Sequence, residues 1–201
     1  RCNTTFTGQM TYSTGSHPEF VDAVDVNGDG KPDIIVANYG SNNVGVLRNI
    51  GNGTFAAQTT YSTWTGPFEL TYVEADDVNG DGKPDIIVLN HSSNNVNVLL
   101  NTGNATFSAQ ATYSTGPSPT SMIAVDFNGD NKPDIIVANS GSNNEGVLIN
   151  KGNGTFAAQT TYSTGSGPTH VTAVDVNGDN KPDIIVSNYG SNNAGVLLNY
   201  C

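Results

Sequence analysis

Basic residues are scarce in this chain of 201 residues: seven Lys and Arg stand against eighteen Asp and Glu, a formal net charge of −11. Binding nucleic acid through its phosphates needs clustered Lys and Arg, and here they are scattered singly, so no nucleic-acid partner is expected. No apolar run approaches the length needed to span a bilayer, and no membrane insertion is expected. No window carries sustained apolar spacing at the helical period, which leaves no helix of consequence. The three His have no recurring Ser or Cys partner, and no phosphate-cradling loop is present, so the chain is expected not to be an enzyme. Only two cysteines occur, Cys2 and Cys201. That placement is odd for a catalytic or metal-binding thiol and natural for a clasp, so a Cys2–Cys201 disulfide and a secreted, extracellular location are expected. The chain starts at Arg1 rather than Met, as a processed chain or a fragment would.

What is present is repetition. "DVNGDGKPDIIV" runs from Asp25 to Val36 and again from Asp77 to Val88; "DFNGDNKPDIIV" follows from Asp126 and "DVNGDNKPDIIV" from Asp175. The leading aspartates are 52, 49 and 49 residues apart, the extra three residues lying near Trp64. Each unit reads as four short strands: A ("HVTAVDV"), B ("PDIIVAN"), C ("GVLLN") and D ("GTFAAQTTYS"). Four-strand units of this length predict an all-β β-propeller with four four-stranded blades. The expectation is one domain, 1–201, with motif cores near 18–50, 67–101, 119–150 and 168–199.

The two ends share a register. Aligning "CNTTFTGQMTYSTG" with "GNGTFAAQTTYSTG" puts Cys2 on the Gly51 position, and aligning "VLLNYC" with "VLRNIG" puts Cys201 there too. The N-terminal segment is then a strand D without its own blade, and the last unit has strands A, B and C. Residues near Phe6 to Tyr12 completing the last blade would close the ring and remove unpaired edges. The alternative is an open half-ring whose strand D completes a neighbouring molecule.

Within "DVNGDGKPD", oxygen-bearing side chains fall at positions 1, 3, 5 and 9, with a backbone carbonyl available at 7. Calcium takes six to eight hard oxygen ligands, whereas zinc would want Cys or His, and none is near. Four Ca2+ sites are expected, one per repeat. The first uses Asp25, Asn27, Asp29, Asp33 and the Lys31 carbonyl, and the second Asp77, Asn79, Asp81, Asp85 and Lys83. The third uses Asp126, Asn128, Asp130, Asp134 and Lys132, and the fourth Asp175, Asn177, Asp179, Asp183 and Lys181. Without a cation the clustered carboxylates repel; four Ca2+ add eight positive charges and bring −11 to −3. The simpler alternative, Asp/Asn/Gly turns, needs only one or two such residues per loop.

Asn-x-Thr sequons stand at Asn3, Asn52, Asn104 and Asn153, one repeat position in four copies, and Asn90 begins a fifth sequon. Glycosylation is expected of them in a eukaryotic source, with a plain turn as the alternative. Strand parity puts the A–B loops and these C–D turns on one rim. The opposite rim collects the B–C and D–A loops with Tyr39, His91, Tyr189, Trp64, His17 and His170, and a protein or glycan ligand is expected there. The recurring Tyr12, Tyr61, Tyr113, Tyr162 and Phe6, Phe55, Phe107, Phe156 are expected as inter-blade core.

The "DxNGDGxxDIxV" loop followed by "GNGTF" resembles the FG-GAP and VCBS-type repeats of integrin α-subunit propellers and of many secreted proteins, over essentially the whole chain. The resemblance implies a β-propeller with calcium in the A–B loops. The function expected is a non-enzymatic extracellular calcium-binding propeller, glycosylated, structural or adhesive, and able to assemble with copies of itself. A lectin-like carbohydrate-binding propeller is the alternative.

Overall fold

The structure is a computed structural model that describes residues 8–62, 70–108 and 111–200. In every repeat, the run "DIIV" is β-branched, apolar and bounded by turn residues, and it forms the second of several antiparallel strands. The first repeat comprises β1 (Pro18–Val24), β2 (Asp33–Asn38), β3 (Asn43–Leu47) and β4 (Thr59–Ser62). The second comprises β5 (Leu70–Asp76), β6 (Asp85–Asn90), β7 (Asn95–Leu99) and β8 (Ala111–Ser114). The third comprises β9 (Pro119–Val125), β10 (Asp134–Asn139), β11 (Asn144–Leu148) and β12 (Thr160–Ser163). The fourth has β13 (Pro168–Val174), β14 (Asp183–Asn188) and β15 (Asn193–Leu197).

Each sheet is ordered as the chain runs, so the first three have four antiparallel strands and the last has three among the described residues. Register is the same throughout: Ile34 faces Leu47, Ile86 Leu99, Ile135 Leu148 and Ile184 Leu197 across the two inner strands. Two-residue turns between Asn49–Gly51 and Thr54–Phe55, and their counterparts, bridge the third and fourth strands. No α-helix occurs among the described residues, and no helix is long and apolar enough to cross a membrane.

Because side chains alternate across a strand, the two isoleucines of "DIIV" serve opposite faces. Ile35, Val44 and Val46 of the first repeat meet Val73, Ile86 and Val88 of the second. Ile87, Val96 and Val98 meet Met122, Ile135 and Val137, and Ile136 and Val147 meet Val171 and Ile184. A central strand buried on both faces has to be apolar at every position, which is why "DIIV" does not alternate with polar residues. Each fully buried aliphatic side chain contributes about 1.5–3 kcal/mol. The first strands stack in order, β1 on β5, β5 on β9 and β9 on β13. This is an all-β, propeller-like array of repeated sheets.

Tyr12, Tyr61 and Tyr113 of the aromatic series join neighbouring repeats as expected, but Tyr162, in the last fourth strand, is 43% exposed and not core, because no phenylalanine of a following repeat lies against it among the described residues. Tyr61 packs edge-on against Phe107, centroids 5.1 Å apart, and Tyr113 against Phe156 at 5.3 Å. Their hydroxyls donate to backbone carbonyls of the next repeat, Tyr61 to Ala105 (2.6 Å) and Tyr113 to Gly154 (3.2 Å). Tyr12 makes the same contact with Phe55 (5.4 Å) and donates to the Gly53 carbonyl at 3.2 Å. Phe6 lies outside the described residues.

Closure of the ring by the N-terminal segment is not seen. Residues 8–14 form no strand, and among the described residues no fourth strand lies beside β15. The segment instead lies along the first repeat, where the Gly15 N–H donates to Asn38 Oδ1 (3.1 Å).

Candidate metal centre

The A–B loop is shaped by its first aspartate. Asp25 Oδ1 accepts N–H groups of Asn27 (3.2 Å), Gly28 (2.8 Å) and Asp29 (3.2 Å), while Oδ2 accepts that of Gly30 (2.6 Å). Wrapping the backbone around one carboxylate forces positive φ at loop positions 4 and 6. Gly28 and Gly30 sit at +79° and +82°. In the third and fourth repeats position 6 is Asn131 (+62°) or Asn180 (+64°), and asparagine tolerates the left-handed region better than other non-glycine residues. The alternation "NGDG" and "NGDN" thus has a backbone cause. Asp77 and Asp126 gather the N–H groups of positions 4, 5 and 6, and Asp175 those of positions 3, 4 and 6.

Burial would raise the Asp25 carboxyl, yet the N–H groups of Gly30, Gly28, Asp29 and Asn27 hold it below its ordinary value. At position 5, Asp29 is lowered chiefly by its hydrogen bond from Lys31, whose Nζ lies 3.1 Å away. Lys83–Asp81 (2.7 Å) and Lys132–Asp130 (3.0 Å) repeat that pair, but Asp179 Oδ2 accepts from Asn177 Nδ2 instead (3.1 Å). The Asn27 side-chain oxygen accepts the Asp29 N–H at 2.9 Å. Loop positions 1, 3 and 5 therefore present carboxyl and amide oxygens at or near the surface.

Position 9 is different. Asp33 is fully buried, with Oδ2 accepting the Val26 N–H (3.2 Å) and Oδ1 the Asn49 N–H (2.7 Å). Asp85, Asp134 and Asp183 do the same for their repeats. Each staples the start of the A–B loop to the end of the third strand. Burial pushes Asp33 and Asp134 up and brings Asp85 to about 6, opposed by those two N–H bonds.

Among the described residues no three His, Cys, Asp or Glu side chains form a group that could hold a metal ion. A cation in these loops would have to draw on mixed donors: the carboxylates of positions 1 and 5, the Asn amide at 3, the carbonyl of Lys31, Lys83, Lys132 or Lys181, and position 9. That set is all hard oxygen, so the donors fit calcium in kind; at position 1 the oxygen with a lone pair to spare is Oδ2, which accepts a single N–H, whereas Oδ1 of Asp25 accepts three.

The same rim carries the C–D turns. Asn52, Asn104 and Asn153 are exposed at φ +53°, +58° and +56°, each followed by a second positive-φ residue. Thr54, Thr106 and Thr155 donate their hydroxyls to the Gly51, Gly103 and Gly152 carbonyls. Turn chemistry alone thus accounts for the fixed Asn and Thr of these sequons. Asn90 is buried, and its Nδ2 donates to Asn95 (2.8 Å) and Asn97 (3.1 Å), so that nitrogen is closed to sugar. Asn3, Cys2 and Cys201 lie outside the described residues.

Two like clefts open between consecutive repeats here. One of about 170 Å3 is lined by Asp25, Asn27, Lys83 and Asn104; the other, about 200 Å3, by Asp77, Asn79, Lys132 and Asn153. On the opposite rim, the amides of "NYGSNN" are committed to the turn: Asn38 Nδ2 donates to Asn43 Oδ1 (2.8 Å), and Asn139 and Asn188 to Asn144 and Asn193 (both 2.9 Å). Tyr189 stands 81% exposed, and His170 Nδ1 lies 3.0 Å from Ser121 Oγ. Trp64 lies outside the described residues.

One recurrent residue escaped the sequence reading, the asparagine of "VLxN". Asn101 Nδ2 donates to the Val26 carbonyl of the preceding repeat (2.9 Å), Asn150 to Val78 (2.9 Å) and Asn199 to Phe127 (2.8 Å). Its fixed place after every third strand was the available signal.

The FG-GAP-like repeat profile matches residues 25–88, 77–137 and 126–186. No curated protein sequence matches the chain. Among solved structures, an Agrocybe aegerita lectin that recognises non-reducing terminal N-acetylglucosamine is similar at TM-score 0.60 and 24% identity, over 89% of this chain and 51% of that one. Streptogramin B lyase gives TM-score 0.59 at 13% identity, covering 90% and 54%. The V. cholerae biofilm matrix protein Bap1 gives 0.55 at 23%, covering 88% and 26%. The chain spans about half or less of each of these proteins, and at such identities the likeness concerns the fold alone.

Proposed function

We propose a function from the premise that the chain belongs to the FG-GAP-like repeat family: a non-enzymatic, calcium-binding propeller module of the extracellular space, structural or adhesive in role. The observation that carries the reading is the fourfold A–B loop. In each copy backbone N–H groups gather on the first aspartate and fix it in place, with Asn and Asp oxygens of positions 3 and 5 beside it. Calcium bound there would neutralise the clustered carboxylates, displace the lysine from position 5 and lock each A–B hairpin. A non-catalytic role is supported by the strongly raised carboxyls, Glu74 and Glu145, which are packed inside the array and do not face either cleft. Glycosylation is confined in this reading to the exposed Asn52, Asn104 and Asn153. Melting in calcium against EGTA tests the proposal: the chain should melt higher in calcium, and a fourfold Asp→Asn variant at Asp29, Asp81, Asp130 and Asp179 should lose the difference. Equal melting in the two buffers would refute it.

A second reading, a lectin-like binder, is favoured by the two repeated clefts, each walled by acid, amide and lysine groups that suit sugar hydroxyls. It moves the expected ligand from the B–C/D–A rim to the calcium-loop rim. A glycan array on the chain, compared with the double variant Asn27→Ala/Asn79→Ala, tests it: loss of bound sugar in the variant supports the clefts, and no sugar bound at all sinks it.

A further inference from the structure

The two ends of the array are the two halves of its internal joint. Inside, the first strand of each later repeat buries one residue against the repeat before it: Val73, Met122 and Val171 are at most 2% exposed. The same position in the first repeat, Val21, is 59% exposed. At the other end, Val46, Val98 and Val147 are buried by the following repeat, whereas Val196 is 54% exposed; Val26 and Val78 are buried, whereas Val176 is 49% exposed. The hydrogen bonds divide in the same way. The Val26, Val78 and Phe127 carbonyls each receive an Asn side chain from the next repeat, but among the described residues none reaches Val176. Asn49, the equivalent donor in the first repeat, gives its Nδ2 to Pro32 within its own repeat and, among the described residues, to no carbonyl of another repeat.

The fourth strands complete the pattern. In the first three repeats the third strand pairs with a fourth, as Val46 with Thr59 and Val44 with Tyr61. The edge of β15 has no such partner among the described residues, and beside it lies an apolar cavity of about 300 Å3 lined by Tyr162, Ile184, Leu198 and Tyr200. Residues 10–13, "MTYS", carry the sequence of a fourth strand. Tyr12 already sits on Phe55 as Tyr61 sits on Phe107, which is where the fourth strand of a preceding repeat would lie.

We propose that two copies of this chain associate head to tail into one ring, the β15 face of each docking on the β1 face of the other. Residues 10–13 add to the partner copy's β15 as its fourth strand, Met10 opposite Val196 and Tyr12 opposite Ala194, in the register of Thr59 and Tyr61 on β3. A second copy is the occupant because its β1 face carries the exposed Val21 and the Asn49 amide, and its β15 face the exposed Val196 and Val176, the two halves that meet in every internal joint. The joint rests on apolar and backbone contacts, so it stands apart from the calcium reading.

Light scattering on the purified chain, with reductant present and in both calcium and EGTA, tests this. The expected mass is twice that of the chain. Val21→Asp and Val196→Asp both lie at exposed positions, so each should keep its circular dichroism spectrum and become monomeric. Mixed in equal amounts, the two variants should regain a dimer, because each retains the face the other lacks. A monomeric wild type, a dimer untouched by either variant, variants not rescued by mixing, or masses that grow without limit would each overturn the two-copy ring. Association that persists in EGTA would leave it standing even if the calcium reading failed.

Discussion

Replacing Glu145 by valine should raise the melting temperature, and by far more at pH 8 than at pH 5. Glu145 stands on β11 at the position that Val44 and Val96 hold in the first two repeats, facing the next sheet. It is fully buried, and among the described residues neither carboxyl oxygen has a hydrogen-bond partner. Burial raises its pKa from 4.5 to about 8. With the folded value above the unfolded one, stability is complete below pH 4.5 and is lost as pH rises towards 8. Each unit corresponds to about 1.4 kcal/mol, so the loss is ~3 kcal/mol at pH 7 and ~5 kcal/mol above pH 8. For a domain of this size ~3 kcal/mol corresponds to roughly 6–12 °C. Melting followed by circular dichroism between pH 5 and 9 is the assay. Glu145→Val should flatten the pH slope and melt higher at pH 7, and Glu145→Gln should flatten it with less gain, since it still buries a polar group. A variant with the wild-type slope would refute the assignment of that slope to Glu145.

Asp85→Ala orphans two buried N–H groups, those of Val78 and Asn101, and should cost about 2–4 kcal/mol in a denaturant titration, whereas a replacement at Asp81 in EGTA should cost little. Burial carries Glu74 to about 7 against the Ala124 N–H bond, with Asp22 and Asp76 adding to the rise. Carboxyl NMR should therefore find Glu74 titrating near 7, and Asp22→Asn should lower it. Gly30→Asn should be nearly neutral, because Asn131 and Asn180 hold that loop position at positive φ, whereas Gly30→Val should cost about 1–2 kcal/mol.

The sheets were legible because their cause is local. "DIIV" and "GVLLN" are too short and too β-branched for anything but buried strands, and the spacing of the four aspartates set the repeat. Tyr61 and Phe107 were legible as core from recurrence alone. The role of loop position 9 was not: the letter Asp at a ligand spacing does not say that Asp33 points inward to the Val26 and Asn49 amides, because Asn49 lies sixteen residues on and only the sheet brings it there. The recurrence of the sequons was legible but its turn chemistry was not, since Asn and Thr at the C–D turn satisfy backbone geometry in the same positions that a sugar acceptor would require. Glu145 could be seen in "SNNEGVL" as a departure from the repeat, but its burial became visible only once β13 was packed against its sheet.

Calorimetric titration of the EGTA-stripped chain with calcium addresses the central claim most directly. Four bound ions per chain, falling to three when Asp25 and Asp29 are both changed to Asn, are the predicted result. A titration with no binding heat, or a stoichiometry indifferent to that double change, would contradict it.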